Sequence, residues 1–146
     1  MENSNSSVGK PKKTKLDFKD SKYATGRRKR SIAKVWIKKG NGNIHVNGMK
    51  MNEYFKRPVH QIIVTRPLEI TQVSSNYDVR CSVKGGGLSG QAGAIILGIS
   101  KALIAYDDNL KKNLKKDKLT TRDSRVVERK KYGHRKARRS FQFSKR

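Results

Sequence analysis

The excess of positive charge is the feature that most limits what this chain can fold into. Among its 146 residues, 36 are Lys or Arg and 11 are Asp or Glu, which gives a formal net charge of +25 at pH 7. Hydrophobic residues make up 34% of the chain, below the ~45–50% that is usual in globular domains. A chain of this length accommodates one core. We therefore expect one small core with the cations outside it and a polyanion as partner.

Several other classes of site are disfavoured by the sequence. The single cysteine, Cys81, cannot form an intrachain disulfide, and the three histidines do not show metal-ligand spacing, so we expect neither a metal nor a cofactor. The most apolar stretch, residues 92–99, is shorter than the ~20 residues of a bilayer span, which argues against a membrane partner. No acid–base pair stands out, and Cys81 falls on the apolar face of its predicted strand, as a buried, inert thiol would. The chain is predicted not to be an enzyme.

Apolar periodicity divides the first half of the chain. Residues 1–22 form a leader rich in Lys, Ser and Asn that we expect to be flexible. A strand is predicted from Ser31, and Asn41 and Gly42 predict a hairpin to a second strand over residues 43–47. A short helical turn is expected near Tyr54. Residues 59–64 fit a helix or a strand.

The second half contains the clearest elements. Residues 77–84 alternate as a strand with one apolar face, and residues 92–106 carry apolar side chains at helical spacing, with Ser89 as the expected N-cap. A short helix carrying Leu114 follows, and Val126 and Val127 are expected to supply a last strand. This order predicts an α+β fold, a small sheet with helices packed on one face.

A glycine-rich turn joins the predicted strand to the long helix. Residues 85–90, GGGLSG, satisfy the G-x-G-x-x-G pattern of dinucleotide sites, but no strand is predicted after the helix, as a Rossmann unit requires. Gln91 and Ala92 replace the Lys and Ser/Thr of a Walker A loop. Two interpretations remain open: the bare amides at the helix N-terminus bind a phosphate, or the glycines only turn the chain and allow close packing.

Two basic segments are candidates for phosphate contact. Residues 25–30 place four consecutive cations before the first predicted strand, where phosphate contact is favoured over a merely solvated surface. Residues 120–146 hold 11 lysines and arginines against two acids, a net charge of +9, with Tyr132, Phe141 and Phe143 interleaved for base stacking. The alternative is a disordered solubilising tail, which the near absence of acids disfavours. Beyond Tyr132 we expect irregular structure until a partner binds.

Four segments together carry a family resemblance. They are YATGRRK at residues 23–29, GGGLSGQAGA at 85–94, LTTRDSRVVERKKYG at 119–133 and FSKR at 143–146. In this order they closely resemble the bacterial-type small-subunit ribosomal protein nine family, from about Tyr23 to Arg146.

The resemblance implies both a fold and a role. The implied fold is α+β with a small mixed sheet, like the second domain of ribosomal protein S five, with a left-handed βαβ crossover that departs from the usual right-handed rule. The implied organisation is an RNA-docking body over residues 23–128 and an extended basic tail over residues 129–146. The resemblance further implies a structural, non-enzymatic protein in the head of the small ribosomal subunit, beside neighbouring head proteins. The implied location is the cytoplasmic ribosome of a bacterium, with an organellar ribosome as the alternative.

The family's nucleic-acid contacts can be carried onto this chain by position. The tail would approach peptidyl-site tRNA, and its implied contacts are Ser144, Lys145 and Arg146. The implied contacts with small-subunit ribosomal RNA are Thr25, Gly26, Arg27, Arg28, Lys29, Arg30, Gly85, Gly86, Gly87, Ser89, Gly90, Gln91, Arg122, Arg125, Arg129, Lys130, Lys131, Arg135, Lys136, Arg138 and Arg139. The main rival function is a free-standing, non-specific nucleic-acid-binding protein or RNA chaperone.

Overall fold

The computed structural model describes residues 19–145. Most of the predicted leader and Arg146 lie outside the described residues. The strands are β1 (Lys22–Arg28), β2 (Ser31–Lys39), β3 (Ile44–Val46), β4 (Met49–Lys50) and β5 (Tyr77–Lys84). The α-helices are α1 (Met51–Tyr54), α2 (Pro58–Ile70), α3 (Leu88–Tyr106) and α4 (Lys111–Lys116), with a 3₁₀ turn at Asp108–Leu110 before α4.

The five strands form one mixed sheet in the order β1-β2-β5-β3-β4. Strand β3 runs parallel to β5, and the other neighbouring pairs are antiparallel. Helix α3 packs on β1, β2 and β5, and α2 packs on α3. The predicted α+β class, a mixed sheet with helices on one face, is confirmed. The left-handed crossover implied by the resemblance stays a prediction.

The core lies between the sheet and α3. In β2, Ala33, Val35 and Ile37 are fully buried, and the residues between them face away from the helices. Strand β1 approaches α3 even more closely, because a side chain at Gly26 would overlap the Ala94 carbonyl oxygen and come within 2.6 Å of the Gly98 nitrogen. The sheet and the helix therefore meet at backbone distance along β1.

Helix α3 is longer than the apolar stretch seen in the sequence. Its 19 residues are long and apolar enough to span a membrane by length and composition, but 61% of its most apolar window is buried inside the protein. Burial of this extent is typical of the central helix of a folded core. The helix begins at Leu88 with Gly87 as N-cap, so the expectation of a Ser89 cap was wrong.

The hairpin predicted at Asn41 and Gly42 was also wrong, since β5 lies between β2 and β3. Of the two residues, only Gly42 has a positive φ, whereas the favoured two-residue type I′ turn needs both. The loop instead wraps around the start of β5, where Asp78 Oδ1 accepts hydrogen bonds from the Asn41 and Asn43 amides at 3.0 and 2.8 Å. In the second Asn-Gly step, both Asn47 and Gly48 have a positive φ, and these two residues join β3 to β4.

Two further differences concern strands at the ends of the body. Strand β1 was not predicted, although it pairs with β2 along its whole length. The last strand expected at Val126 and Val127 is absent from the described residues, and both side chains are exposed, by 60% and 78%. This segment follows the surface instead of adding to the sheet.

Candidate nucleic-acid interface

Three segments that are distant in sequence meet at one cleft of about 520 Å³. The β1–β2 turn contributes Lys29 and Arg30, the glycine turn contributes Gly86, Gly87 and Gly90, and the junction between body and tail contributes residues 126–130. Four cations line the cleft against one acid, Glu128. The fold thereby gathers the basic run, the glycine turn and the tail that the sequence singled out separately.

The β1–β2 turn places its cations at the rim of this cleft. Arg28 pairs with Ser31, so that only Lys29 and Arg30 form the connection. Lys29 has a φ of 51°, in the left-handed region, and both side chains are exposed. The tight turn therefore holds two adjacent cations at the edge of the sheet.

Two side-chain hydrogen bonds to the Gly85 carbonyl hold the glycine turn in place. The Ser31 hydroxyl and the Gln91 side-chain amide both donate to the Gly85 carbonyl, at 3.0 and 3.2 Å. A side chain at Gly86 would overlap the Ser31 hydroxyl, and Gly85 and Gly86 have φ values of +73° and +62°. These glycines are required by the geometry of the turn itself.

Gly87 differs from its neighbours, because nothing lies within 4 Å of where its side chain would be. It is the N-cap of α3, and no side chain caps the helix there. The first amides of a helix carry partial positive charge and accept anions. The structure is therefore compatible with both interpretations. Gly85 and Gly86 are required by the turn, whereas Gly87 leaves the first amides of α3 open to a phosphate.

A chain of side-chain hydrogen bonds fixes the position of Gln91. The Tyr54 hydroxyl donates to Gln91 Oε1 at 2.8 Å and accepts from Asn47 Nδ2 at 3.4 Å. Asn47 also pairs with the Val83 backbone through both ends of its amide, at 2.8 and 3.2 Å. Gln91 thus holds the glycine turn in position, and its implied contact with RNA stays a prediction.

Asp123 ties the segment that leads into the tail to strand β1. Its carboxylate accepts hydrogen bonds from the Arg125 backbone amide and guanidinium at 2.9–3.1 Å, and it lies 3.3 Å from the Arg28 guanidinium. The hydrogen bonds from Arg125 hold the pKa of Asp123 well below its usual range, and the charges of Arg125 and Arg28 lower it further. This role of Asp123 was not predicted, although an Asp side chain commonly accepts a hydrogen bond from the backbone amide two residues later, in an Asx turn.

Glu128 forms two ion pairs that fold residues 128–138 into a loop. It pairs with Lys131 at 2.6 Å and with Arg138 at 2.9 Å, and these hydrogen bonds lower the pKa of Glu128. His134 and Ser140 form an isolated β-bridge between the two sides of this loop. The loop is exposed, and Tyr132, Phe141 and Phe143 are 96%, 59% and 86% exposed.

The predicted contact residues fall into four groups. Those in the cleft are Lys29, Arg30, Gly86, Gly87, Gly90, Arg129 and Lys130. Those held in intramolecular ion pairs are Arg28, Arg125, Lys131 and Arg138. Those exposed outside the cleft are Arg27, Ser89, Arg122, Arg135, Lys136, Arg139, Ser144 and Lys145. The remaining described residues are partly buried, packed against a neighbouring element or hydrogen-bonded within the glycine turn. They are Thr25, Gly26, Gly85 and Gln91.

A second, smaller cleft of about 270 Å³ lies beside β1 and α3. Arg27 and Arg28 line it together with Arg66 of α2 and Lys118, which follows α4. Arg66 and Lys118 were not predicted as contacts, since nothing in the local sequence indicates that α2 and the end of α4 approach β1. Their charge extends the basic surface around this edge of the sheet.

Within residues 19–145, no group of three or more His, Cys, Asp or Glu residues is placed to hold a metal ion. Cys81 is buried, and its burial raises the pKa of the thiol, which keeps it in the unreactive neutral form. No strand follows α3 within the described part of the chain, so the Rossmann interpretation of the glycine turn does not hold.

The sheet, the basic cleft and the exposed cationic tail define a polyanion-binding protein built on a small α+β body. Comparison with family models identifies which one: the model described as Ribosomal protein S9/S16 matches residues 26–146. The chain belongs to this family. It is therefore a structural, non-enzymatic protein of the ribosome that takes part in translation and binds RNA, as the resemblance implied.

Proposed function

We propose that the protein is a constituent of the small ribosomal subunit and docks on ribosomal RNA in the head through the cleft between the β1–β2 turn, the glycine turn and the tail. The convergence of the three segments carries this proposal. Lys29, Arg30, Arg129 and Lys130 supply charge for phosphates, and the uncapped start of α3 adds backbone amides. Such contacts recognise the shape of the RNA backbone more than its sequence.

The tail beyond residue 131 extends this interface. Its cations and exposed aromatic rings suit RNA that surrounds it on several sides, since guanidinium groups grip phosphates and rings stack on bases. We propose that the tail runs through ribosomal RNA toward tRNA in the peptidyl site, with Ser144 and Lys145 at its described end and Arg146 beyond it. The neighbouring proteins of the head would then be its protein partners.

Sedimentation tests docking through the cleft. We expect the wild-type protein to sediment with small subunits in a sucrose gradient at high salt. Arg129→Ala combined with Lys130→Ala should reduce incorporation, whereas Lys111→Ala combined with Lys112→Ala removes equal charge from exposed positions on α4 and should not. Equal loss for both pairs would show that total charge, not the cleft, governs docking. A wild-type protein that stays at the top of the gradient would indicate the rival, free-standing nucleic-acid-binding protein.

Retention of tRNA tests the tail separately. Deletion of residues 144–146 should leave incorporation unchanged and weaken retention of tRNA in the peptidyl site. Each lost phosphate contact should also lower the salt dependence of retention by about one unit of slope. If the truncated protein fails to enter small subunits, the separation of docking body and tRNA-contacting tail is wrong.

A further inference from the structure

The smaller cleft beside β1 and α3 has an apolar floor. The side chains that form this floor are buried or half-buried and come from α2, α3 and the segment after α4, namely Ile63, Ile96, Leu97 and Leu119. The volume of the cleft, about 270 Å³, is close to the lower end of the ~300–1,000 Å³ that is usual for small-molecule pockets. The cleft therefore suits one flat, weakly polar group, such as a single base.

Cations form the rim of this cleft. Arg66 and Lys118 line it, and both are exposed. Neither side chain forms a hydrogen bond or an ion pair with another residue between 19 and 145. Asp123 also lines the cleft, but its one negative charge is shared between Arg28 and Arg125. The rim thus presents positive charge that no described carboxylate pairs with.

Gly93 of α3 gives Arg28 its place in the wall of the cleft. Alternation along β1 turns Gly26 and Arg28 toward α3 and turns Arg27 away. A side chain at Gly93 would overlap Cδ of Arg28 and come within 2.7 Å of its Nη1. The Arg28 side chain therefore lies directly on the helix backbone, and 28% of it is exposed. Its Nε is buried without a hydrogen-bond partner among the described residues, so the fold alone leaves this guanidinium incompletely satisfied.

The smaller cleft adjoins the larger one, through which we propose that the protein docks on ribosomal RNA. Arg28 in the smaller cleft is followed directly by Lys29 in the larger one. Gly90 and Gly93 lie about one turn apart on α3, and each lines one of the two clefts. An RNA strand that docks in the larger cleft therefore passes beside the smaller one.

We propose that the smaller cleft binds one unpaired nucleotide of RNA, with its base on the apolar floor and its phosphate beside Arg28, Arg66 and Lys118. The inference rests on the proposed ribosomal function and adds a contact with a single nucleotide. An extruded base packs against apolar side chains, and unstacking costs least for a nucleotide that is already unpaired. RNA is favoured over a protein, because the centres of protein interfaces are depleted of charged residues, whereas two unpaired cations border this apolar floor.

NMR titration of the full-length protein with adenosine monophosphate (AMP) tests the proposal. The methyl signals of Ile63 and Leu119 report on the smaller cleft, and those of Val126 and Val127 report separately on the larger one. We expect AMP to shift the Ile63 and Leu119 signals until they saturate, because the ring current of the base acts on the methyl groups beneath it. Inorganic phosphate should shift them little. Equal shifts with inorganic phosphate would indicate a plain anion site and overturn the assignment to a nucleotide.

Two variants change the site in different ways. Arg66→Ala combined with Lys118→Ala removes the charge of the rim and should weaken the AMP titration about tenfold, as expected for the loss of two exposed phosphate contacts. Gly93→Ala removes no charge, but its methyl group displaces the flexible Arg28 side chain. It should weaken the titration about threefold, as expected for one misplaced contact, and leave the protein folded.

Lys111→Ala combined with Lys112→Ala is the control for charge, since it removes two cations from exposed positions on α4. It should leave the shifts of Ile63 and Leu119 unchanged. The proposal is overturned if this control weakens the titration as much as the loss of the rim cations does. It is equally overturned if saturating AMP leaves the Ile63 and Leu119 signals in place.

Cross-linking in assembled small subunits separates this proposal from the proposed function. Thr121 is exposed and lines the smaller cleft, so a photoreactive residue in its place samples the occupant. We expect a cross-linked nucleotide. If the protein enters the subunits but the cross-link joins it to a second protein, the nucleotide proposal fails and the proposed function stands. If the protein does not enter subunits at all, the proposed function fails, and the AMP titration still decides the smaller cleft.

Discussion

The close approach of β1 to α3 leads to a quantitative prediction for Gly26→Ala. The new methyl group would overlap the Ala94 carbonyl oxygen and lie 2.6 Å from the Gly98 nitrogen, and both are backbone atoms that cannot rotate away. Strand β1 and helix α3 must then separate by about 1 Å or more to restore ordinary contact distances. Overpacking of this kind costs about 1–3 kcal/mol, and we expect a value near the upper end.

Urea denaturation of the isolated protein measures this cost. With a urea dependence of about 1–3 kcal/mol per molar, a loss of ~3 kcal/mol lowers the unfolding midpoint by about 1–3 M. Gly87→Ala is the matched control, because its φ of −106° is accessible to alanine and nothing lies within 4 Å of the added methyl. It should change the free energy of unfolding by no more than about 1 kcal/mol, the cost of replacing glycine with the poorer cap alanine at a helix N-cap. Equal midpoints for the two variants would refute the backbone contact between β1 and α3.

Three further predictions concern the tail and the glycine turn. Lys131 and Arg138 lower the pKa of Glu128, so its ion pairs are complete above the ordinary glutamate pKa of about 4.3 and are lost as the pH falls through the depressed value. The side-chain NMR signals of Arg138 should therefore change with a midpoint below the ordinary glutamate pKa, and a midpoint at or above that pKa would contradict this. Asp123→Ala should accelerate hydrogen exchange at the Arg125 amide and leave the core amides of β2 unchanged, because it removes both the acceptor of that amide and the ion pair with Arg28. Slowed or unchanged exchange at Arg125 would argue against the anchor. Tyr54→Phe removes the hydroxyl that bridges Asn47 and Gln91. It should lower the free energy of unfolding, measured with urea, by about 1 kcal/mol. An unchanged midpoint would mean that this chain of hydrogen bonds does not support the turn.

The elements that the sequence predicted well are those with large apolar side chains at regular spacing. Strand β5 and helix α3 bury such residues on one side, and their pattern follows directly from the geometry of a strand and a helix. Strand β1 was missed because its inward positions include Ala24 and Gly26, which are small where α3 comes closest. Because close packing against α3 requires small residues at these positions, β1 lacks the large apolar side chains that usually indicate a strand.

The failed hairpin and the failed last strand have different causes. A local Asn-Gly signal does not report which strands pair, and the alternative pairing of β2 and β3 with β5 depends on residues more than thirty positions away. Val126 and Val127 resemble a strand only in composition, and they line the cleft at the surface instead. The sequence singled out the basic run, the glycine turn and the tail as candidate RNA contacts, but only the fold shows that the three meet.

Photo-cross-linking from Val127 tests most directly whether the cleft holds RNA. This side chain is 78% exposed and lies in the cleft beside Arg129 and Lys130, so a photoreactive residue there samples whatever occupies it. In purified small subunits, we predict a cross-linked product that carries RNA and collapses to the size of the protein on ribonuclease treatment. A product that resists ribonuclease and contains a second protein would contradict the assignment of this cleft to RNA.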